Sequence, residues 1–152
     1  MPKTRPMKRS WLWISICGVV CCAGALRALA DFSSIDLEVE SVQIQPPRPQ
    51  AGQPISVAAV IHNNGSQSVV SFDISVTVRQ NNKMIYSIHK IPVLSTLPRM
   101  GSGKSVPVDI GKFSAGDYEV VVQADPENHF NETNEQNNVR VQGFHVSPVN
   151  YA

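Results

Sequence analysis

The chain has 152 residues, enough for about one domain, since single cores commonly enclose roughly 100 to 200 residues. Its formal net charge is +1, but five of the thirteen Lys and Arg lie in residues 1–30 and all twelve acids lie beyond them, so the remainder has eight bases against twelve acids, a net charge of −4. A mildly acidic remainder excludes the basic surface that holds nucleic acid or anionic lipid.

The N-terminal stretch MPKTRPMKRS carries four basic residues and no acid, and the apolar run WLWISICGVVCCAGAL follows it. Ala28-Leu29-Ala30 then fits the small-x-small pattern of a signal peptidase site. The apolar run is shorter than the roughly 20 residues a spanning helix needs. Residues 1–30 are therefore expected to be a cleaved export signal, followed by a domain over 31–148 and a tail over 149–152. Cys21 and Cys22 follow Val20 and Cys21, not the small residue a lipoprotein requires. Lys8-Arg9-Ser10-Trp11-Leu12 has one of the two arginines of a twin-arginine signal, so the export route stays open. Cys17, Cys21 and Cys22 all fall inside the signal, so the mature chain has no disulfide and must be held by packing.

From Ile35 onward the dominant hydrophobic period is two, as half-buried strands require. The first strand, from Ile35 to Gln45, changes phase: Ile35, Leu37 and Val39 share one parity, Val42 and Ile44 the other. A bulge near Glu40 and Ser41 is expected. Ile55, Val57, Ala59 and Ile61 form a second inward set, followed by Val70, Phe72, Ile74, Val76 and Val78. Val106, Val108 and Ile110 come next, then Tyr118, Val120, Val122 and Ala124. Val139 and Val141 open a last strand, with a bulge expected at Gly143 before Phe144 and Val146. Turn signals separate these runs at 46–54, 63–67, 80–83, 98–103 and 113–117. About seven short strands with no helical periodicity predict an all-β sandwich, with a closed barrel as the alternative.

The segment ADPENHFNETNEQNN, from Ala124 to Asn138, is the densest cluster of polar side chains. Proline at Pro126 sets φ for a turn, and the Asp125 carboxylate can accept amides two or three residues on. Asn128 tolerates a left-handed backbone, and Phe130 is the one large apolar residue available to plug the end of a sandwich. Glu132, Asn134 and Asn137 offer polar side chains to a loop whose backbone lacks ladder partners. The same residues suggest calcium, through Asp125, Glu127, Asn128, Glu132 and Asn134, with Asn131 and Glu135 nearby. An EF-hand loop would need oxygen, glycine and glutamate where this chain has His129, Phe130 and Gln136, which argues against that ion.

The order Asp125, Pro126, Asn128, Glu132, Asn134, Glu135, Asn137, Asn138 resembles the closing hairpin of CARDB domains, the cell-adhesion-related domains of bacterial and archaeal surface proteins. DLEVESVQIQPPRPQAGQPISVAAVIHNNGSQSV resembles the family's first two strands, and SAGDYEVVVQAD resembles the strand before its hairpin. The resemblance covers nearly all of residues 35–142 and departs between Lys83 and Lys104, where IPVLSTLPRMGSGKS stands in place of a compact Gly-x-Ser turn. It implies an immunoglobulin-like sandwich outside the cytoplasm, an accessory module and not an enzyme. Tyr118, after the Ala115-Gly116-Asp117 turn, then suits a tyrosine corner, with its ring buried and its hydroxyl on nearby backbone.

Other chemistry has weaker support. GSGKS, residues 101–105, lacks the earlier glycine of a phosphate loop, since Pro98 stands there, and is expected to be a flexible turn. His62, His89, His129 and His145 are scattered without metal-ligand spacing. No Gly-x-Ser-x-Gly elbow or cysteine nucleophile is present in the mature chain. Asn64-Gly65-Ser66 and Asn131-Glu132-Thr133 are formal glycosylation sequons.

These features lead to the expectation of an exported, non-enzymatic module, periplasmic or at the cell surface, that binds a protein or cell-surface glycan and has no cofactor and no membrane span in the mature chain. The alternative is a small calcium- or ligand-binding protein that uses the 125–138 hairpin. Lys83 to Pro98 places apolar residues on both parities, so Met84, Ile85, Tyr86 and Ile88 form a candidate contact for a partner or for self-association, unless the segment covers its own core. Pro92 suits an edge strand there.

Overall fold

A computed structural model describes residues 34–104 and 107–149, which lie within one compact unit. The expected export signal, Val106 and residues 150–152 lie outside the described residues. The described residues form eight strands and no helix: β1 (Leu37–Gln45), β2 (Pro54–Asn63), β3 (Phe72–Gln80), β4 (Lys83–Val93), β5 (Gly101–Lys104), β6 (Val108–Lys112), β7 (Gly116–Ala124) and β8 (Val139–Val146). One sheet runs β1-β2-β5, with β6 also on β2; the other runs β4-β3-β7-β8, and every strand pair is antiparallel. The two sheets form the expected immunoglobulin-like sandwich, with eight strands where about seven were expected.

Alternation accounts for the core. Ile55, Val57, Ala59 and Ile61 of β2 meet Phe72, Ile74, Val76 and Val78 of β3 and Tyr118, Val120, Val122 and Ala124 of β7 in one buried cluster. In β1 the phase change is a bulge between Val39 and Ser41, which moves the inward set from Leu37 and Val39 to Val42 and Ile44. The Tyr118 ring is buried against Phe113 and Phe144, with centroids 5.1 and 5.5 Å away, and its hydroxyl donates to Ser114 O at 3.0 Å. Asn81 and Asn82 have φ of 51° and 62°, the left-handed pair that a two-residue hairpin between β3 and β4 demands.

Three local expectations are corrected. Val70 is 73% exposed and Val69 is buried instead, because Val69 exchanges backbone bonds with Leu97 (2.9 and 2.7 Å) before the chain enters β3 at Phe72. Gly143 forms no bulge: β8 pairs with β7 in unbroken register, Gly143 opposite Glu119. Val139 and Val141 therefore face outward and are exposed, while Phe144 and Val146 face the core. Finally, Gly101–Lys104 is no flexible turn. It is β5, paired with Val60–Asn63, because β2 is longer than β6 and leaves backbone groups there that a strand satisfies.

Candidate functional site

The hairpin begins where β7 ends. Ala124 N donates to Asn138 O at 2.8 Å, and Asp125 N to Asp73 O at 2.9 Å on β3. Asp125 takes φ of 42°, which swings the chain out of the sheet, and Asn128 N closes the turn on Asp125 O at 3.0 Å. The Asp125 carboxylate is buried. It accepts His129 N on Oδ1 at 3.0 Å and Phe130 N on Oδ2 at 2.8 Å, four and five residues on, where two or three were expected. A wider loop results, one that Pro126 opens, Asn128 turns at φ of 50°, and Phe130 closes by packing against the core.

The second half of the hairpin fastens to β1. Thr133 N donates to Ile35 O at 3.0 Å, Leu37 N to Glu132 Oε2, and Val39 N to Asn137 O at 3.1 Å. These are alternate residues on one edge of the first strand, the edge that β2 leaves unpaired. Asn137 Nδ2 adds a bond to Asp36 Oδ1 at 2.8 Å. Asn138 is buried, and its Nδ2 serves Glu132 Oε1 at 2.9 Å and Glu135 Oε2 at 3.1 Å. Asn134 Oδ1 accepts Gln136 N at 3.1 Å. Carboxylates only accept, so Asn137 and Asn138 turn their amino groups toward them, leaving both Oδ1 atoms buried without a partner.

Burial raises the Glu132 carboxyl to a pKa of about 7 from an ordinary 4.5. The Leu37 amide and Asn138 pull it down, while Glu135 and Asp125 push it further up. The folded protein therefore holds a proton on Glu132 more tightly than the unfolded chain does, so this group's contribution to stability is full below pH 4.5 and is lost as pH rises through about 7. Between pH 8 and pH 5 the wild type is expected to gain more stability on acidification than Glu132→Gln. Urea midpoints at the two pH values measure this, and identical pH slopes for the two proteins would contradict it.

The five residues considered for calcium are spread along the hairpin, from Asp125 to Asn134. Asp125, Glu132 and Asn134 are engaged by the hairpin and β1 as described, and the exposed Glu127 contacts Lys90 at 3.5 Å and His129 at 3.2 Å. Among the described residues no group of three or more His, Cys, Asp or Glu is placed to hold a metal ion. Met84 and Ile85 are 58% and 44% exposed on β4, an edge strand, while Tyr86 and Ile88 are half-buried and Tyr86 donates to Asp109 O at 2.8 Å. Burial raises the Tyr86 phenol above its usual value, with Asp109 adding to the shift.

A second lock was not foreseen at its key residue. Asn63 is fully buried, donating to Gln67 O at 2.7 Å and Pro98 O at 3.3 Å while accepting Gly65 N at 3.0 Å. Asn-Asn-Gly marks a turn, but two adjacent asparagines do not say which one faces the core.

The CARDB family model matches residues 34–142. Among solved structures, the chain is similar to the CARDB domain of a Pyrococcus furiosus protein in complex with di-metal ions, at 22% identity and a TM-score of 0.59, covering 78% of this chain and 98% of that one. It is also similar to a domain of a Methanosarcina acetivorans protein described as a cell surface protein, at 26% identity and a TM-score of 0.54, covering 74% and 92%. A cycloisomaltooligosaccharide glucanotransferase of Paenibacillus sp. shares the fold at 14% identity and a TM-score of 0.58, over 74% of this chain and 14% of that chain. No curated protein matches.

Proposed function

This chain belongs to the CARDB family, and from that premise we propose that it is an exported, non-catalytic interaction module that binds a protein or cell-surface glycan. The similar Methanosarcina acetivorans domain comes from a protein described as a cell surface protein, which supports export. The observation that carries the proposal is the engagement of the hairpin's polar groups by the domain itself. Asp125 accepts two amides of its own loop, and Glu132 and Asn137 bond the edge of β1. The hairpin acts as a structural lock, with Asp125, Pro126, Asn128, Phe130, Glu132, Asn134, Asn137 and Asn138 as its parts. These bonds hold the hairpin to the domain, which supports a structural role for it and a module that works through its surface. Residues 1–30 serve as the export signal, and 31–148 as the functional unit.

The contact we assign is the β4 edge, where Met84 and Ile85 are exposed beside Tyr86 and Ile88. Proline at Pro92 and register shifts opposite Ile74/Val76 and Val78/Arg79 blunt this edge against strand pairing, so it would be read through side chains. The double substitution Ile85→Lys with Ile88→Lys is expected to leave a folded protein that loses its captured partner or its self-association, measured by pull-down from the native envelope and by sedimentation. A folded variant with unchanged partners and unchanged oligomeric state would remove β4 from the function.

A further inference from the structure

The two ends of β8 are tied to the first sheet, but its middle is not. Val39 N bonds Asn137 O just before β8, and just after it Ser147 N donates to Pro49 O at 2.9 Å while Ser147 O accepts Ala51 N at 2.8 Å. Between these ties β1 turns away at its bulge to pair with β2, and β8 pairs with β7 alone. Backbone groups alternate sides along a strand. Asn138 O points to β7, so the even residues of β8 face β7 and Val139, Val141, Gly143 and His145 present their N–H and C=O groups to the gap. Within this stretch Gly143 O is met only by the Gln142 side chain, at 2.9 Å. The result is about 20 Å of unpaired edge, at roughly 3.3 Å per residue.

The gap has an apolar floor. Val42, Ile44 and Phe144 point inward yet are only half-buried, and with Pro47, Arg48 and Gln142 they line a groove of about 600 Å³. No carboxylate lines it. Arg140 lies on the same side of β8 as Gln142, and neither Arg48 nor Arg140 has an ion-pair partner among the described residues, while His145 is held by Asp117 at 2.7 Å. Unlike β4, β8 has no proline, no lysine and no register shift, the devices that protect an edge.

We propose that this slot is a strand-addition site for an extended segment of a partner protein, whose inward-facing side chains are apolar where they cover Val42, Ile44 and Phe144 and acidic toward the ends, where they meet Arg48 and Arg140 on that same face. The main chain of the segment satisfies the outward groups of β8, and the charges select for acid over base. This deepens the interaction-module function but does not depend on the β4 contact.

The test uses two labelled synthetic peptides of about seven residues, the length of the unpaired edge, both with valine at the third and fifth positions and threonine at the even ones, one with glutamate and the other with lysine at the first and last positions, so that the charges share a face with the valines. The glutamate peptide is expected to bind at least about tenfold more tightly, by fluorescence anisotropy at low salt. Val141→Pro removes an outward N–H and no β7 bond, so a folded variant should bind about tenfold more weakly or worse. Arg48→Glu with Arg140→Glu, at two surface positions, should reverse the peptide preference and decides the matter if the proline variant fails to fold. Equal binding of the two peptides, no binding at about 1 mM, or full affinity in folded Val141→Pro would overturn the proposal. So would a dimer that Val141→Pro dissolves, which would give the slot to a second copy. Failure here leaves partner capture through Ile85 and Ile88 intact, so the two ideas fail separately.

Discussion

Asp125→Ala is expected to lower the unfolding free energy by about 3 kcal/mol. Its two carboxylate oxygens are the acceptors for His129 N and Phe130 N, and a stranded buried amide costs roughly 1–3 kcal/mol. Asp125 also sits at φ of 42°, where alanine is less tolerant than aspartate, adding about 1 kcal/mol. Asp125→Asn, which keeps an acceptor and tolerates this backbone, should lose about half as much. Glu119→Ala is the comparison, since Glu119 is exposed on the outer face of β7, and it should stay within about 0.5 kcal/mol of wild type. Urea denaturation of the exported chain measures all three. Equal stabilities for the Asp125→Ala and Glu119→Ala variants would mean that the loop amides find other partners and that the carboxylate is no lock.

Gly65→Ala should be at least as damaging, for a different reason. A Cβ at Gly65 would sit 2.2 Å from Ser34 O and 2.8 Å from Ile35 Cα, and both are backbone atoms that cannot rotate away. The contact is close because the turn after β2 lies directly under the segment leading into β1. Asn64 N donates to Asp36 O at 2.8 Å, Gln67 N to Ser34 O at 3.0 Å, and Met100 N to Gly65 O at 3.2 Å. Relieving the clash must break some of these bonds and lift Ile35 from the core, a loss of about 3 kcal/mol or more. Gly52→Ala separates this effect from ordinary backbone strain: its φ is 77° but no atom lies within 4 Å of the added carbon, so about 1 kcal/mol is expected. Amide exchange should show the Gly65→Ala damage concentrated at Leu37 and Asn64. A loss no larger than that of Gly52→Ala would refute the close approach.

Both predictions come from motifs that are visible in the chain. Asp-Pro followed by alternating acids and asparagines, and Asn-Asn-Gly at the end of β2, mark turns because short polar side chains compete for local backbone groups. What those motifs touch was less legible. The amides that Asp125 accepts lie further along than a tight turn would place them, and Glu132 and Asn137 act on Leu37 and Asp36, at the other end of the chain. Nothing local in Glu132 signals that burial against β1 raises its carboxyl to about 7.

The sequence by itself determined the all-β class, the inward sets of β2, β3 from Phe72 onward, and β7, and the bulge near Glu40. Each follows from the two-residue period of a pleated strand, a property of neighbouring residues alone. Tertiary structure decided which of Val69 and Val70 is buried, since the bridge to Leu97 sets that parity. It also decided that Gly101–Lys104 is a strand, because β2 left an edge to fill. It placed Gly143 in regular register with Arg140 and Gln142 on the inward side of β8, where polar residues are tolerated because β1 turns away and leaves that side open to water. A strand's period is written in its own residues, whereas its burial depends on whichever distant strand lies against it.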